Sequence, residues 1–145
     1  MRAAISRRLP GLPRVDMIEL EESSLRDLQD FPGELPADDM HTWADDHFAY
    51  ANARMWERVR AGWERAAATI EEQGLERVAM VSHGGPINAL LRHFLGEDTV
   101  RLRTCWFELD WATTCCCRYS PDGRWIRWVN DARHIDPIRD RIPTR

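Results

Sequence analysis

His83 stands directly after the apolar run Val78-Ala79-Met80-Val81 and Ser82, and directly before Gly84-Gly85-Pro86. An imidazole changes charge near neutral pH, so it can exchange a proton or donate a hydrogen bond to an anion. Paired glycines let a ligand approach the backbone. The free N–H groups at a helix start favour negative charge. Together these describe an anion cradle, with phosphate the natural occupant. A lone histidine after a strand is more often structural, so the rest of the chain must support the chemistry.

Other reactive side chains give weaker signals. Cys105, Cys115, Cys116 and Cys117 contain no CxxC spacing, and three in a row on a strand alternate between faces, so they make poor metal ligands. They read as small apolar residues of a reducing compartment. His41 and His47 lie near the pairs Asp38-Asp39 and Asp45-Asp46. Solvated loop positions explain them as well as a cation site would, and no metal or other cofactor is expected.

The elements that would position His83 follow from periodicity. Residues 1–9 suit a helix that stops at Pro10-Gly11, and Val15 to Leu20 has the apolar density of a strand. From Leu28 to about Asp46 the chain is rich in Pro, Asp and Gly, which predicts an irregular excursion of the kind that often forms a lid. Met55, Val59, Trp63, Ala66 and Ile70 then form one apolar stripe at helical spacing. Gly74 falls where glycine ends helices. Val78 to Val81 reads as a short strand buried on both faces. Pro86 suits the first position of a helix that runs through Leu90, Leu91 and Phe94 to Gly96. The last third is strand-like over Cys105 to Leu109, Thr113 to Tyr119 and Arg124 to Val129, with Ser120-Pro121-Asp122-Gly123 as a turn. Trp63, Trp106, Trp125 and Trp128 fall on these elements and are expected to pack in or against the core. The alternation predicts an α/β sandwich with a largely parallel sheet.

Composition sets the frame. At 145 residues, 43% hydrophobic and 30% charged, the chain fits one globular domain over 1–145. A net charge of −4 argues against a nucleic-acid partner. No apolar run is long enough to span a bilayer and no signal-peptide pattern opens the chain, so a cytoplasmic protein with no membrane partner is expected. Oligomeric state is left open.

The run Val81-Ser82-His83-Gly84-Gly85-Pro86-Ile87-Asn88-Ala89-Leu90-Leu91 resembles the second-histidine motif of the histidine phosphatase (phosphoglycerate mutase-like) superfamily. Leu109-Asp110-Trp111-Ala112-Thr113-Thr114, Pro121 to Trp125 and Asn130-Asp131-Ala132-Arg133-His134-Ile135 are similar to the closing portion of bacterial members. Arg2-Ala3 resembles the family's Arg-Ala pair, and Leu25-Arg26-Asp27 its Leu-Arg-Glu. The resemblance implies a three-layer α/β/α sandwich with a mostly parallel sheet. It implies phosphomonoester hydrolysis through a phosphohistidine, on a small phosphorylated substrate. By the same token Arg2, His83 and Gly84 would bind phosphate, and Asp27, or else Glu22 or Glu21, would donate a proton to the leaving group. A mutase is the neighbouring activity, but the chain has little room for the insertions mutases carry.

The chain departs from the family's pattern in one decisive respect. No Arg-His-Gly, the motif of the nucleophilic histidine, occurs in it: Arg92-His93 and Arg133-His134 lack the glycine. The resemblance therefore implies a record truncated at its N-terminus, lacking the first strand, and inactive as it stands. The alternative is a non-catalytic relative that binds a phosphate ligand or a partner.

Overall fold

The computed structural model describes residues 25–36, 43–97 and 107–141. The expected helix over 1–9 and strand over Val15 to Leu20 lie outside them, as do Cys105 and Trp106.

The 28-residue helix α1, Asp45–Glu72, is the scaffold. Its N-cap is Ala44, which has no side-chain oxygen to offer, so His47 compensates from the first turn. Its Nδ1 accepts from the Ala44 N–H at 3.0 Å while its Nε2 reaches the Glu34 carbonyl at 3.1 Å. Gln73 closes the other end and Gly74 takes the left-handed conformation at φ 61°. Ala51, Met55, Trp56, Val59, Gly62, Trp63 and Ala67 are its buried positions. The predicted stripe thus holds at Met55, Val59 and Trp63, with Ala66 partly buried against the same cluster and Ala67 buried beside it.

Three clusters are strung along this helix. A one-turn 3-10 helix, Leu25–Leu28, packs Leu28 against Trp43 and Ala51. The helix α2, Gly84–Phe94, sets Ala89 against Met55, Trp56 and Val59. Further along, Trp63 and Ala67 meet Phe94, with Tyr119 and Ile126 of the hairpin closing over them. Trp63 makes edge-on contacts with both Phe94, at 4.8 Å, and Tyr119, at 5.1 Å. One indole therefore joins α1, α2 and the sheet, and such ring pairs each add about 0.5–1.5 kcal/mol beyond area burial.

The strands β1, Thr114–Ser120, and β2, Gly123–Asp131, form an antiparallel pair. Their two-residue connection is Pro121-Asp122, where proline's fixed φ suits a turn. Gly123 has to be glycine for another reason: a Cβ there would lie 2.9 Å from the Trp125 ring. The register slips twice, between Thr114 and Cys116 and between Cys116 and Cys117, and at each slip β2 carries an extra residue. The described residues are thus mixed helix and strand, with a small antiparallel sheet. A 3-10 helix, Asp136–Arg141, follows.

Four expectations need correction. Val78–Val81 is not a strand buried on both faces. It is extended chain without a ladder partner among the described residues, with Val78 49% and Val81 64% exposed. Only Met80 is drawn into the contacts between α1 and α2. An apolar run becomes a two-sided strand only where neighbours take up its N–H and C=O groups, and sequence pattern does not supply neighbours. Pro86 stands third in α2, not first. A proline is tolerated there because the first-turn N–H groups have no partner within the helix. Residues 107–109 of the expected strand Cys105 to Leu109 are irregular. Trp125 and Trp128 do lie in β2, but they are 42% and 40% exposed. Each is covered by a guanidinium, Arg118 over Trp125 at 4.1 Å and Arg127 over Trp128 at 5.7 Å.

Candidate active site

His83 is the N-cap of α2, in extended conformation, with its carbonyl accepting from the Ile87 N–H at 3.0 Å. The carbonyl begins the helix and the exposed imidazole takes no part in capping. Gly84 follows as the first helical residue. A Cβ built on it would meet nothing within 4 Å among the described residues. The first turn of α2 carries no acidic side chain, while Arg92 and His93 occupy the last turn. No carboxylate of its own thus competes with an anion for the positive end of the helix.

What fixes this helix start is Asn88, 4% exposed in the otherwise apolar run Pro86 to Leu91. Its Nδ2 donates to the carbonyls of Gly84, at 3.1 Å, and Phe107, at 3.0 Å; its Oδ1 accepts from the Phe107 N–H at 2.7 Å. The side-chain amide thus pairs with the Phe107 backbone as a neighbouring strand would, and it holds residues 107–110 against the His83 end of α2. A second amide holds the other end of that segment. Asn130, at φ 58°, accepts from the Asp110 N–H at 2.8 Å and donates to the Asp110 carboxylate at 3.0 Å. His134 Nε2 then meets the Ala112 carbonyl at 2.8 Å, and Ala112 is itself at φ 57°.

Of the residues the sequence singled out, His83 and Gly84 come together. Asp27 lies on a different element, 5% exposed, with both carboxylate oxygens accepting from Arg58 of α1 at 3.1 and 3.0 Å. Arg2, Glu21 and Glu22 lie outside the described residues. Asn88, Asn130 and Arg58 escaped the sequence reading. For Asn88 a signal existed, a lone amide inside an apolar helical run. For Arg58 none did, because its partner is 31 residues away.

The remaining candidates are accounted for locally. Both ring nitrogens of His47 are used at the start of α1. Burial, with Cys115 and Cys116 adding to it, pushes the Cys117 thiol up to about 11, although the residue as a whole is exposed. A thiol so disposed stays protonated at neutral pH and is a poor nucleophile. Among the described residues no group of three or more His, Cys, Asp or Glu side chains could hold a metal ion. No helix among them is long and apolar enough to cross a membrane.

His83 and the turn that follows it lie inside the segment of the chain that matches a known protein class. The family model of the histidine phosphatase superfamily (branch 1) matches residues 3–132. The chain belongs to that superfamily. Comparison with curated proteins and with solved structures returned no match.

Proposed function

We propose that this chain holds the phosphoryl group in a phosphomonoesterase of the phosphohistidine type, acting on a small phosphorylated substrate in the cytoplasm. The observation that carries the reading is the His83–Gly84 turn: an exposed imidazole at an acid-free helix start, inside the matched family segment. In this reading His83 donates to a phosphate oxygen, the backbone at Gly84 lets the anion approach α2, and Arg2 supplies a second cation. Charge spread over a phosphoryl group in flight is met by such positioned donors. The pairing of Asp27 with Arg58 weighs toward Glu22 as proton donor and gives Asp27 an anchoring role.

No Arg-His-Gly occurs in the chain, so no histidine in it fills the nucleophile's place in the family pattern. The chain alone is then a binder without turnover. On this reading the domain is a three-layer α/β/α sandwich with a mostly parallel sheet, as family membership suggests.

Calorimetric titration with inorganic phosphate and with orthovanadate tests the reading. Both should bind, His83→Ala should weaken both by tenfold or more, and aryl phosphate hydrolysis should stay near the uncatalysed rate. Equal affinity in His83→Ala would remove His83 from the site. Rapid hydrolysis by the 145-residue chain would refute the claim that it lacks a nucleophile.

A further inference from the structure

The helix α2 opens on Gly84-Gly85, a pair that restricts its own backbone little, so the turn after His83 has to be fixed from elsewhere. The His83 carbonyl is held by the Ile87 N–H at 3.0 Å. The next carbonyl, that of Gly84, takes a side-chain bond: Asn88 Nδ2 donates to it at 3.1 Å. A peptide unit is planar, so a bond to the Gly84 carbonyl fixes the plane of the whole Gly84–Gly85 peptide.

Asn88 can do this because it is itself immobilised. It is buried, and its Nδ2 and Oδ1 are both tied to the Phe107 backbone, at 3.0 and 2.7 Å. The segment that offers those groups is anchored in turn, with Leu109 buried and Asp110 bonded twice by the Asn130 amide. Burying an amide in an apolar helical run is favourable only when its polar atoms are satisfied, as they are here. What the amide adds over an apolar side chain is a bonded link from the Phe107 backbone to the peptide that follows His83.

We infer that Asn88 is a positioning residue of the phosphate site: it holds the turn after His83 rigid before the anion arrives, so that binding does not have to order two glycines. This role deepens the proposed function and rests on its phosphate site. Asn88 meets no part of the ligand. It acts through the Gly84 carbonyl, and the affinity of His83 and the helix start for phosphate depends on it.

Serine at this position separates the two sets of bonds. Its hydroxyl can donate to the carbonyl four residues back, as Thr69 does to Arg65 in α1 at 3.0 Å, but it carries one polar atom where the Phe107 pairing uses two. The experiment titrates inorganic phosphate into the full chain, Asn88→Ala, Asn88→Ser and Ala67→Gly, at a temperature where circular dichroism shows each of them folded. Asn88→Ala should weaken phosphate by about threefold to tenfold, the worth of one hydrogen bond. Asn88→Ser should recover most of that affinity while melting as low as Asn88→Ala. Ala67→Gly, on the buried face of α1, should melt lower too and yet bind phosphate as the parent does. Parent-like affinity in Asn88→Ala, no recovery in Asn88→Ser, or an equal loss in Ala67→Gly would each overturn the positioning role while the phosphate site stands. If the parent itself binds no phosphate, the site fails and the positioning role with it.

Discussion

Arg58 neutralises a carboxylate that the fold has taken out of water. The Asp27 side chain is 4% exposed and that of Arg58 15%, with two parallel bonds between them. Such a pair can be close to neutral overall, yet removing one partner of a buried pair typically costs about 3–5 kcal/mol. Arg58→Met should therefore lower the denaturant midpoint more than Arg54→Met. The Arg54–Asp30 contact, with side chains 48% and 69% exposed, falls in the range of about 0–1 kcal/mol. Midpoints within error of each other would show that the remaining contacts of Asp27 suffice to hold it. Asn88 poses the same problem with neutral groups. Asn88→Ala leaves the N–H and C=O of Phe107 without that partner, a loss of about 1–3 kcal/mol if they stay buried, read as a lower melting temperature. Asn88 stands out locally only as a lone amide in an apolar run, and Arg58 not at all. The place of His83 at a helix start is legible in the adjacent Gly84-Gly85-Pro86. Arg58 and Asn88 act on residues 31 and 19 positions away, so only the folded chain identifies their roles.

At the level of elements, the hairpin carries a pH-dependent contact at its end. Hydrogen bonds from the Arg133 side chain and then from its backbone N–H hold the Asp131 carboxyl down at about 2, against an ordinary 3.8. The folded state thus binds this proton more weakly than the unfolded state does. The stabilisation is complete above pH ~4 and is lost as pH falls through the window from about 4 to about 2. Arg133 is 82% exposed and Asp131 16%, so water and salt screen the pair and the effect is small. Melting temperatures of the parent and Asp131→Asn should differ at neutral pH and converge near pH 2. A gap that persists unchanged to pH 2 would assign the Asp131 contribution to something other than its charge. Elements with a local signal were legible in the sequence: the α1 stripe at Met55, Val59 and Trp63, the stop at Gly74 and the turn at Pro121-Asp122. Val78–Val81 departs from its pattern because an apolar run predicts burial but not which neighbours will provide it.

Across the described residues, α1 spans about 42 Å at 1.5 Å per residue, and three core clusters lie along it in turn. That layout has a kinetic consequence. Contacts near the middle of α1 close short loops: Met55 meets Ala89 34 residues on. The hairpin reaches α1 across longer separations, as in the bond of 2.9 Å from the Tyr119 hydroxyl to Glu71, 48 residues earlier. Because closing a longer loop costs more entropy before any contact forms, the α1–α2 pair is expected to assemble before the hairpin docks. Met55→Ala should then slow refolding, whereas Tyr119→Ala should leave the refolding rate nearly unchanged and accelerate unfolding. Stopped-flow chevrons of the two variants measure this directly, and a slowed folding arm for Tyr119→Ala would reverse the order. A helix that serves as the common spine of a small fold is thereby also its nucleus, and the sheet it carries is the part of the molecule that opens first.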